Sequence, residues 1–159
     1  MSKVKLTLMI MVLIISPLLL GGLIYIGWRP ESLLMFAWFE FLGIDNAVMI
    51  LRTTLSQYDL PSWMIFWIPN GTWTFAFTAS LALIWLQPEN LADYLRYRLF
   101  WILLPLIFGL TMEAGQLFQI LPGTFCFGDI MAHLIGALTA LGITAFLLSR
   151  FKYLKEENN

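Results

Sequence analysis

The sequence predicts an all-α integral membrane protein, with four transmembrane helices and one or two interfacial or re-entrant helices in the outer loop between the first two. Three observations support this fold class. Hydrophobic residues make up 60% of the 159-residue chain and charged residues 12%, which leaves too little polar surface for a soluble domain. Four stretches approach the length of about 20 residues that crosses a bilayer as a helix. The basic residues outside those stretches are unequally divided between the two sides.

The predicted spans belong to one domain, 1–159, and cover residues 6–26, 70–86, 99–121 and 128–148. Ser16 and Pro17 would bend the first span, which membrane helices tolerate. The stretch 68–71, Ile-Pro-Asn-Gly, indicates a turn into the second span, with Asn70 as its N-cap. Residues 122–127 are enough only for a tight hairpin between the last two spans.

The positions of the basic residues predict the orientation. Four spans place both termini on one side of the membrane, and the positive-inside rule makes the side richer in lysine and arginine cytoplasmic. The opposite side has only Arg29 and Arg52. The side with the termini has seven basic residues: Lys3, Lys5, Arg96, Arg98, Arg150, Lys152 and Lys155. Both termini are therefore predicted to be cytoplasmic.

The outer segment between the first two spans is unusually apolar. The runs Ser32–Ile44 and Ala47–Leu55 are too apolar for a free loop and too short to cross a bilayer. Short runs of this kind are typical of helices that lie in the interface or re-enter the membrane. Tryptophans, which favour the headgroup zone, surround them; they are Trp28, Trp38, Trp63 and Trp67.

Two acids and the chain's one histidine lie in the last two spans, where an ionisable group without a partner is costly. Counting inward from the hairpin places Gln116 and His133 at about the same depth, since a helix rises about 1.5 Å per residue. Glu113 then lies almost one turn deeper, and Asp129 lies in the first turn of the last helix. We predict that these four side chains form one cluster, with Arg52 as a further partner if its segment folds inward.

The last span also has a stripe of small residues that predicts close helix packing. Gly109 in the preceding span would similarly let a neighbouring helix approach Glu113. Spacing by four is the signature of close contact between membrane helices, and Asp129 and His133 flank this stripe. Its members are Gly128, Ala132, Gly136, Ala140 and Thr144. Packing within the chain or a homo-oligomer would both use such a surface.

The pattern E-x-x-Q, then P-G, then D followed seven residues later by G resembles the core of the VanZ-like membrane proteins. The matching residues are Glu113, Gln116, Pro122, Gly123, Asp129 and Gly136. The family usually has Arg after the Pro-Gly and Asn four residues after the Asp, where this chain has Thr124 and His133. The stretch 68–73, Ile-Pro-Asn-Gly-Thr-Trp, also resembles a proline-turn-tryptophan element of that family. The likeness is strong over roughly the last third of the chain.

The resemblance implies a small multi-pass protein of the bacterial cytoplasmic (inner) membrane with a role in the cell envelope. The family's named member is associated with tolerance to a glycopeptide antibiotic of the teicoplanin type. An outer-leaflet site formed by Glu113, Gln116, Asp129, His133 and Arg52 would suit an amphipathic envelope ligand, such as a lipid-linked precursor or such an antibiotic. Membrane lipid is the expected environment, and the net charge of -1 gives no basic field for nucleic acid.

Other uses of the cluster remain open at the level of sequence. It could only pack the outer helix ends by hydrogen bonds. It could serve an intramembrane enzyme or an accessory subunit of a membrane complex, since Glu, Asp and His act as general acids and bases. A proton-coupled transporter would also use a buried Glu. One histidine and one cysteine, Cys126, predict neither a metal site nor a cofactor.

Overall fold

The computed structural model describes residues 3–85 and 95–157, and within those ranges the chain is helical, with no strand. In this described part of the chain, three helices contain segments long and apolar enough to cross a membrane, at Ile10–Trp28, Tyr97–Leu117 and Phe127–Ser149. The predicted all-helical fold is confirmed, and the apolar helices are compatible with a membrane protein. The six helices within the described ranges are α1 (Lys3–Trp28), α2 (Leu34–Phe41), α3 (Asp45–Leu55), α4 (Ser62–Trp85), α5 (Leu95–Leu117) and α6 (Phe127–Glu157).

The start of α4 differs from the prediction. The prediction of a turn at Pro69 with Asn70 as N-cap is wrong, because the helix begins at Ser62 and both residues lie inside it. Pro69 lacks the N–H of a helical hydrogen bond, but membrane helices accept proline where neighbours cover the backbone. Pro69 is buried. The Thr72 hydroxyl donates to the carbonyls of Ile68 at 2.9 Å and Pro69 at 3.1 Å.

The central helix of the bundle is α4, which packs against α1, α5 and α6. Its buried face consists of small and hydroxyl-bearing residues that include Thr74, Ala76, Thr78, Ala79 and Ala82. Protein covers this face, so it needs less apolar surface than a lipid-facing helix, and α4 is not among the three apolar spans. Its 24 residues nevertheless extend about 36 Å, which exceeds a hydrocarbon core of about 30 Å.

Consecutive long helices run in opposite directions. The end of α1 lies beside the start of α4, where the Arg29 guanidinium is 4.8 Å from the Phe66 ring centroid. The end of α5 lies beside the start of α6, where Cys126 N–H donates to Glu113 at 3.1 Å. Trp67 lies against Gly128, so α4 and α6 begin together. We call this end of the bundle, where α1 and α5 end and α4 and α6 begin, the polar end.

Two short helices, α2 and α3, fill the segment between α1 and α4. They confirm the prediction of one or two short helices between the first two predicted spans. Gly43 joins them with a φ of 68°, a left-handed conformation that glycine adopts without strain. No residue of α2 is buried, and Phe41 is 89% exposed. The apolar surface of α2 is thus exposed.

The end of α5 comes before the end of the predicted span. Two hydrogen bonds close the helix at Leu117: Ile120 N–H donates to the Gly115 carbonyl at 2.8 Å, and Gln119 N–H donates to the Gln116 carbonyl at 3.0 Å. This is a Schellman motif. Gln119 takes the left-handed position with a φ of 57°, where glycine is the usual residue. The sequence has no glycine at that point to mark the helix end.

The small-residue stripe of α6 packs against α4. At Gly136, an added Cβ atom would overlap the Gly71 carbonyl oxygen and lie 3.2 Å from the Phe75 nitrogen. Ala140 and Thr144, further along the stripe, are fully buried. Close packing of the stripe is therefore confirmed, within the chain. The helix that packs against the stripe is α4.

Candidate functional site

A cavity of about 1380 Å³ lies at the polar end, between α1, α4, α5 and α6. Four of the five predicted site residues line it, and Arg52 is not among its lining residues. Its polar lining consists of Arg29, Asn70, Thr74, Glu113, Gln116, Asp129 and His133, together with smaller hydroxyl and thiol side chains. Its aromatic lining includes Tyr25, Trp63, Phe66, Trp67 and Trp73. We call this space the polar cavity.

Glu113 joins α5 to the start of α6. Its side chain is only 5% exposed, and Oε2 accepts a hydrogen bond from the backbone N–H of Cys126 at 3.1 Å. Cys126 directly precedes α6, where the first N–H groups of a helix have no partner within the helix. The second oxygen, Oε1, has no hydrogen-bond partner among the residues that the structure describes. Glu113 thus caps a neighbouring helix and keeps one acceptor for another donor.

Asp129 lies in the first turn of α6. The side chain of Asn70 on α4 is close enough to act on its carboxyl group. Its Oδ1 atom is buried and has no partner within the described ranges. A buried acceptor without a donor is unfavourable by about 1–3 kcal/mol. A donor that hydrogen-bonded to this oxygen would remove that cost. The charge of Arg29, across the cavity, also acts on Asp129.

His133 lies between α4 and α5. Its Nδ1 atom is 2.6 Å from the Thr74 hydroxyl oxygen, and its ring covers Gly109, where a Cβ atom would lie 2.7 Å from Nδ1. The predicted close approach at Gly109 is confirmed. The predicted equal depth of His133 and Gln116 was wrong, because α5 ends early and Gln116 instead packs on Gly123 in the following loop.

The bond between Thr74 and His133 predicts a measurable loss of stability. Replacing Thr74 with Val keeps the side-chain shape and leaves Nδ1 without its partner, which should lower the free energy of unfolding by about 0.5–2 kcal/mol. Thermal unfolding in detergent micelles measures the change. Thr111→Val is the matched control, since this exposed hydroxyl bonds only to the Ile107 carbonyl of its own helix, at 2.7 Å. Equal stability of the two variants would contradict the prediction.

Arg52, the fifth predicted residue, holds the end of α1. Its Nη1 atom donates to the carbonyls of Ile26 at 2.6 Å and Arg29 at 2.8 Å. Its Nε atom pairs with Glu31 at 2.9 Å, so its ion partner is Glu31 and not Glu113. Arg52 therefore reaches the polar cavity only indirectly, through the backbone of Arg29.

Arg29 is the lining residue that sequence reasoning missed. In the sequence, Arg29 contributed only to the count of basic residues that predicts the orientation. Its guanidinium lies over the rings of Phe66, at 4.8 Å, and Tyr25, at 5.4 Å. Its Nε atom is buried without a hydrogen-bond partner in the described part of the chain. The position of Arg29, directly after an apolar helix and a tryptophan, was the available signal.

An apolar groove lies beside the polar cavity. It measures about 820 Å³ and runs between α1, α4 and α6. Trp63 and Trp67 line both spaces, and their ring centroids are 6.4 Å apart. The other groove residues are mainly apolar and include Pro17, Leu20, Ile68, Phe75, Met131 and Ile135. Polar and apolar binding surfaces therefore meet at this pair of tryptophans.

The described side chains provide acids, a base, an amide and a cation around one cavity, without a metal site. No group of three or more His, Cys, Asp or Glu residues within those ranges could hold a metal ion. Cys126 is a half-buried free thiol, and its backbone N–H is the group that contacts Glu113. The arrangement is suited to binding a polar group by hydrogen bonds and charge.

Fold and site together define the class: a helical bundle with membrane-type apolar helices and an ionisable cavity at one end. No family model matches the chain, and neither a curated protein nor a solved structure matches it.

Proposed function

We propose that the chain is a VanZ-like protein of the bacterial cytoplasmic (inner) membrane that binds an amphipathic envelope ligand in the polar cavity. The observation that carries this proposal is the cavity lining. Ionisable side chains from α5, α6 and the residue that follows α1 surround one space of about 1380 Å³, and an apolar groove adjoins it. Ionisable groups at membrane depth that face a cavity commonly mark a binding site or a pathway.

In this proposal the chain crosses the membrane four times, with α4 as the additional span. The length of α4 and the alternating directions of α1, α4, α5 and α6 support four crossings. The excess of basic residues at the opposite end of the bundle supports an outward-facing polar end with both termini in the cytoplasm. The exposed apolar side chains of α2, such as Phe41, would then lie in the outer interface.

The proposed ligand is a lipid-linked precursor or a glycopeptide-type antibiotic. Either has a polar part rich in hydrogen-bonding groups, which Asn70, Glu113 and Asp129 can bind, and an apolar part. The apolar part would occupy the groove beside Trp63 and Trp67. The cavity exceeds the roughly 300–1,000 Å³ of common small-molecule pockets, so it has room for a whole lipid headgroup.

Binding to Glu113→Gln and Asp129→Asn variants tests the proposal. Each change removes one charge and keeps the side-chain size, and we expect roughly tenfold or greater loss of affinity, because hydrogen bonds to charged groups contribute about 1.5–3 kcal/mol. The measurement is binding of radiolabelled lipid-linked precursor and of a teicoplanin-type glycopeptide to protein in nanodiscs. Glu40→Gln is the control, since Glu40 is exposed on α2 and does not line the cavity.

Two results would contradict the proposal. The first is that neither ligand binds the unaltered protein. The second is that both cavity variants bind as tightly as Glu40→Gln. If Glu113→Gln lowers thermal stability while binding is unchanged, the cluster only joins helices, and the capping bond to Cys126 is its role.

A further inference from the structure

We propose that the headgroup bound in the polar cavity is a phosphate ester that also carries a primary ammonium group. Arg29 binds the phosphate, and Asp129 with Glu113 receives the ammonium. This inference rests on one part of the proposed function, that the polar cavity binds an amphipathic envelope ligand, and it assigns the headgroup to one chemical class, the aminophosphate lipids.

Arg29 has the features of an anion-binding group. It lines the cavity but forms no ion pair within 4 Å with another residue of the described ranges, and its Nε atom is buried without a hydrogen-bond partner. The rings of Tyr25 and Phe66 lie on the guanidinium, which fixes its plane and contributes no hydrogen-bond acceptor. A guanidinium held in this way matches the oxygens of a phosphate by paired N–H bonds.

The backbone of Arg29 is also held in place. Arg52 donates to its carbonyl oxygen at 2.8 Å and to that of Ile26 at 2.6 Å. A side chain on a fixed backbone loses less conformational freedom when a ligand arrives. Arg52 is therefore a positioning residue for Arg29.

Two carboxyl oxygens of residues that line the cavity have no donor among the described residues. Oδ1 of Asp129 is buried and unpartnered in the described chain, and Oε1 of Glu113 has no hydrogen-bond partner there. The two carboxyl groups act on each other electrostatically, so a cation between them would relieve their mutual repulsion. A primary ammonium supplies three N–H donors. A quaternary ammonium supplies none and would instead need the faces of aromatic rings.

The charges of Arg29 and Asp129 are close enough to act on each other yet form no direct ion pair. Both residues line the cavity, so a group that is anionic at one end and cationic at the other could contact both. A zwitterionic headgroup would neutralise both walls at once. A purely anionic headgroup would meet the two carboxyl groups without compensation.

Lipid selectivity of the purified protein tests the inference. Native mass spectrometry would compare phosphatidylethanolamine, phosphatidylcholine, phosphatidylglycerol and diacylglycerol with matched chains. We expect phosphatidylethanolamine to bind roughly tenfold or more tightly than each of the others, since one charge-assisted hydrogen bond is worth about that factor. Soluble glycerophosphoethanolamine should compete only weakly, because it lacks the chains; strong competition would show that the site takes the free aminophosphate and not a lipid.

Two variants separate the parts of the headgroup. Arg29→Gln should remove the preference for phosphatidylethanolamine over diacylglycerol, and Arg29→Lys should keep part of it, since the charge remains without the fork. Asp129→Asn should remove the preference for phosphatidylethanolamine over phosphatidylcholine. It should keep the preference for phosphate-containing lipids over diacylglycerol. Glu40→Gln should leave all four affinities unchanged.

Equal binding of the four lipids by the unaltered protein would overturn the inference, even if no variant folds. So would an unchanged selectivity in Arg29→Gln. If the precursor or the glycopeptide binds with dependence on Glu113 and Asp129 while Arg29→Gln has no effect, this inference fails and the proposed function stands.

Discussion

Replacing Gly136 with Ala is expected to destabilise the protein by about 1–3 kcal/mol or more, the usual effect of overpacking. The added Cβ atom would overlap the Gly71 carbonyl oxygen and meet the Phe75 nitrogen at 3.2 Å. Both are backbone atoms of α4 and cannot rotate away as a side chain would. The helices α4 and α6 would have to separate where their contact is closest. Thermal unfolding in detergent micelles measures the loss.

A graded series of glycine variants makes this result specific. At Gly71, an added Cβ would lie 3.2 Å from the Ala132 carbonyl oxygen and 3.6 Å from its Cβ, so Gly71→Ala should cost less than Gly136→Ala. At Gly142, which lies on α6 as Gly136 does, an added Cβ would meet no atom within 4 Å. Gly142→Ala should be neutral or stabilising, because Ala favours helix. If Gly136→Ala is as stable as Gly142→Ala, the close α4–α6 crossing is wrong.

Replacing Arg52 with Leu is expected to have the second large effect. The change removes the donor shared by the carbonyls of Ile26 and Arg29, and hydrogen bonds to a charged group contribute about 1.5–3 kcal/mol. The end of α1 should loosen, and Arg29 should lose its fixed position. We expect lower thermal stability and faster proteolytic cleavage near Glu31, together with weaker binding in the lipid assay.

The ion pair and the carbonyl bonds of Arg52 can be separated. Glu31→Gln removes only the ion pair, and Glu31 is about half exposed, so its effect should stay within about 1 kcal/mol. The loss of stability in Arg52→Lys should lie between those of Glu31→Gln and Arg52→Leu. An ammonium group supplies hydrogen-bond donors but lacks the planar fork of a guanidinium. Equal losses in Glu31→Gln and Arg52→Leu would show that the ion pair, and not the capping of α1, is what matters.

Composition and apolar run length were sufficient to predict the helices but not their ends. The runs that became α2 and α3 are short and bounded, so they were recognisable. The start of α4 was missed because Pro69 and Asn70 are typical of turns in water, while the packing of α1 and α6 around them makes helix acceptable. The end of α5 was missed because Gln119 adopts a left-handed conformation that its residue type seldom takes.

The grouping of Glu113, Asp129 and His133 could be predicted, because buried ionisable groups need partners and the hairpin limits where these can be. The two arginines could not be assigned in the same way. Whether Arg29 or Arg52 faces the cavity depends on how α3 folds back onto α1 after the turn at Gly43. That geometry is set by packing over distant residues, and no local pattern in the sequence encodes it.

The bond from Glu113 to Cys126 couples ligand binding to the order of a helix end. If a ligand takes that carboxyl group as its own acceptor, the start of α6 loses a cap, and its first turn should open more often. If the ligand uses only the free oxygen, the same turn should be held more firmly. Amide hydrogen exchange at Cys126 and in the following turn would therefore rise or fall on binding, and its direction would tell which oxygen the ligand uses.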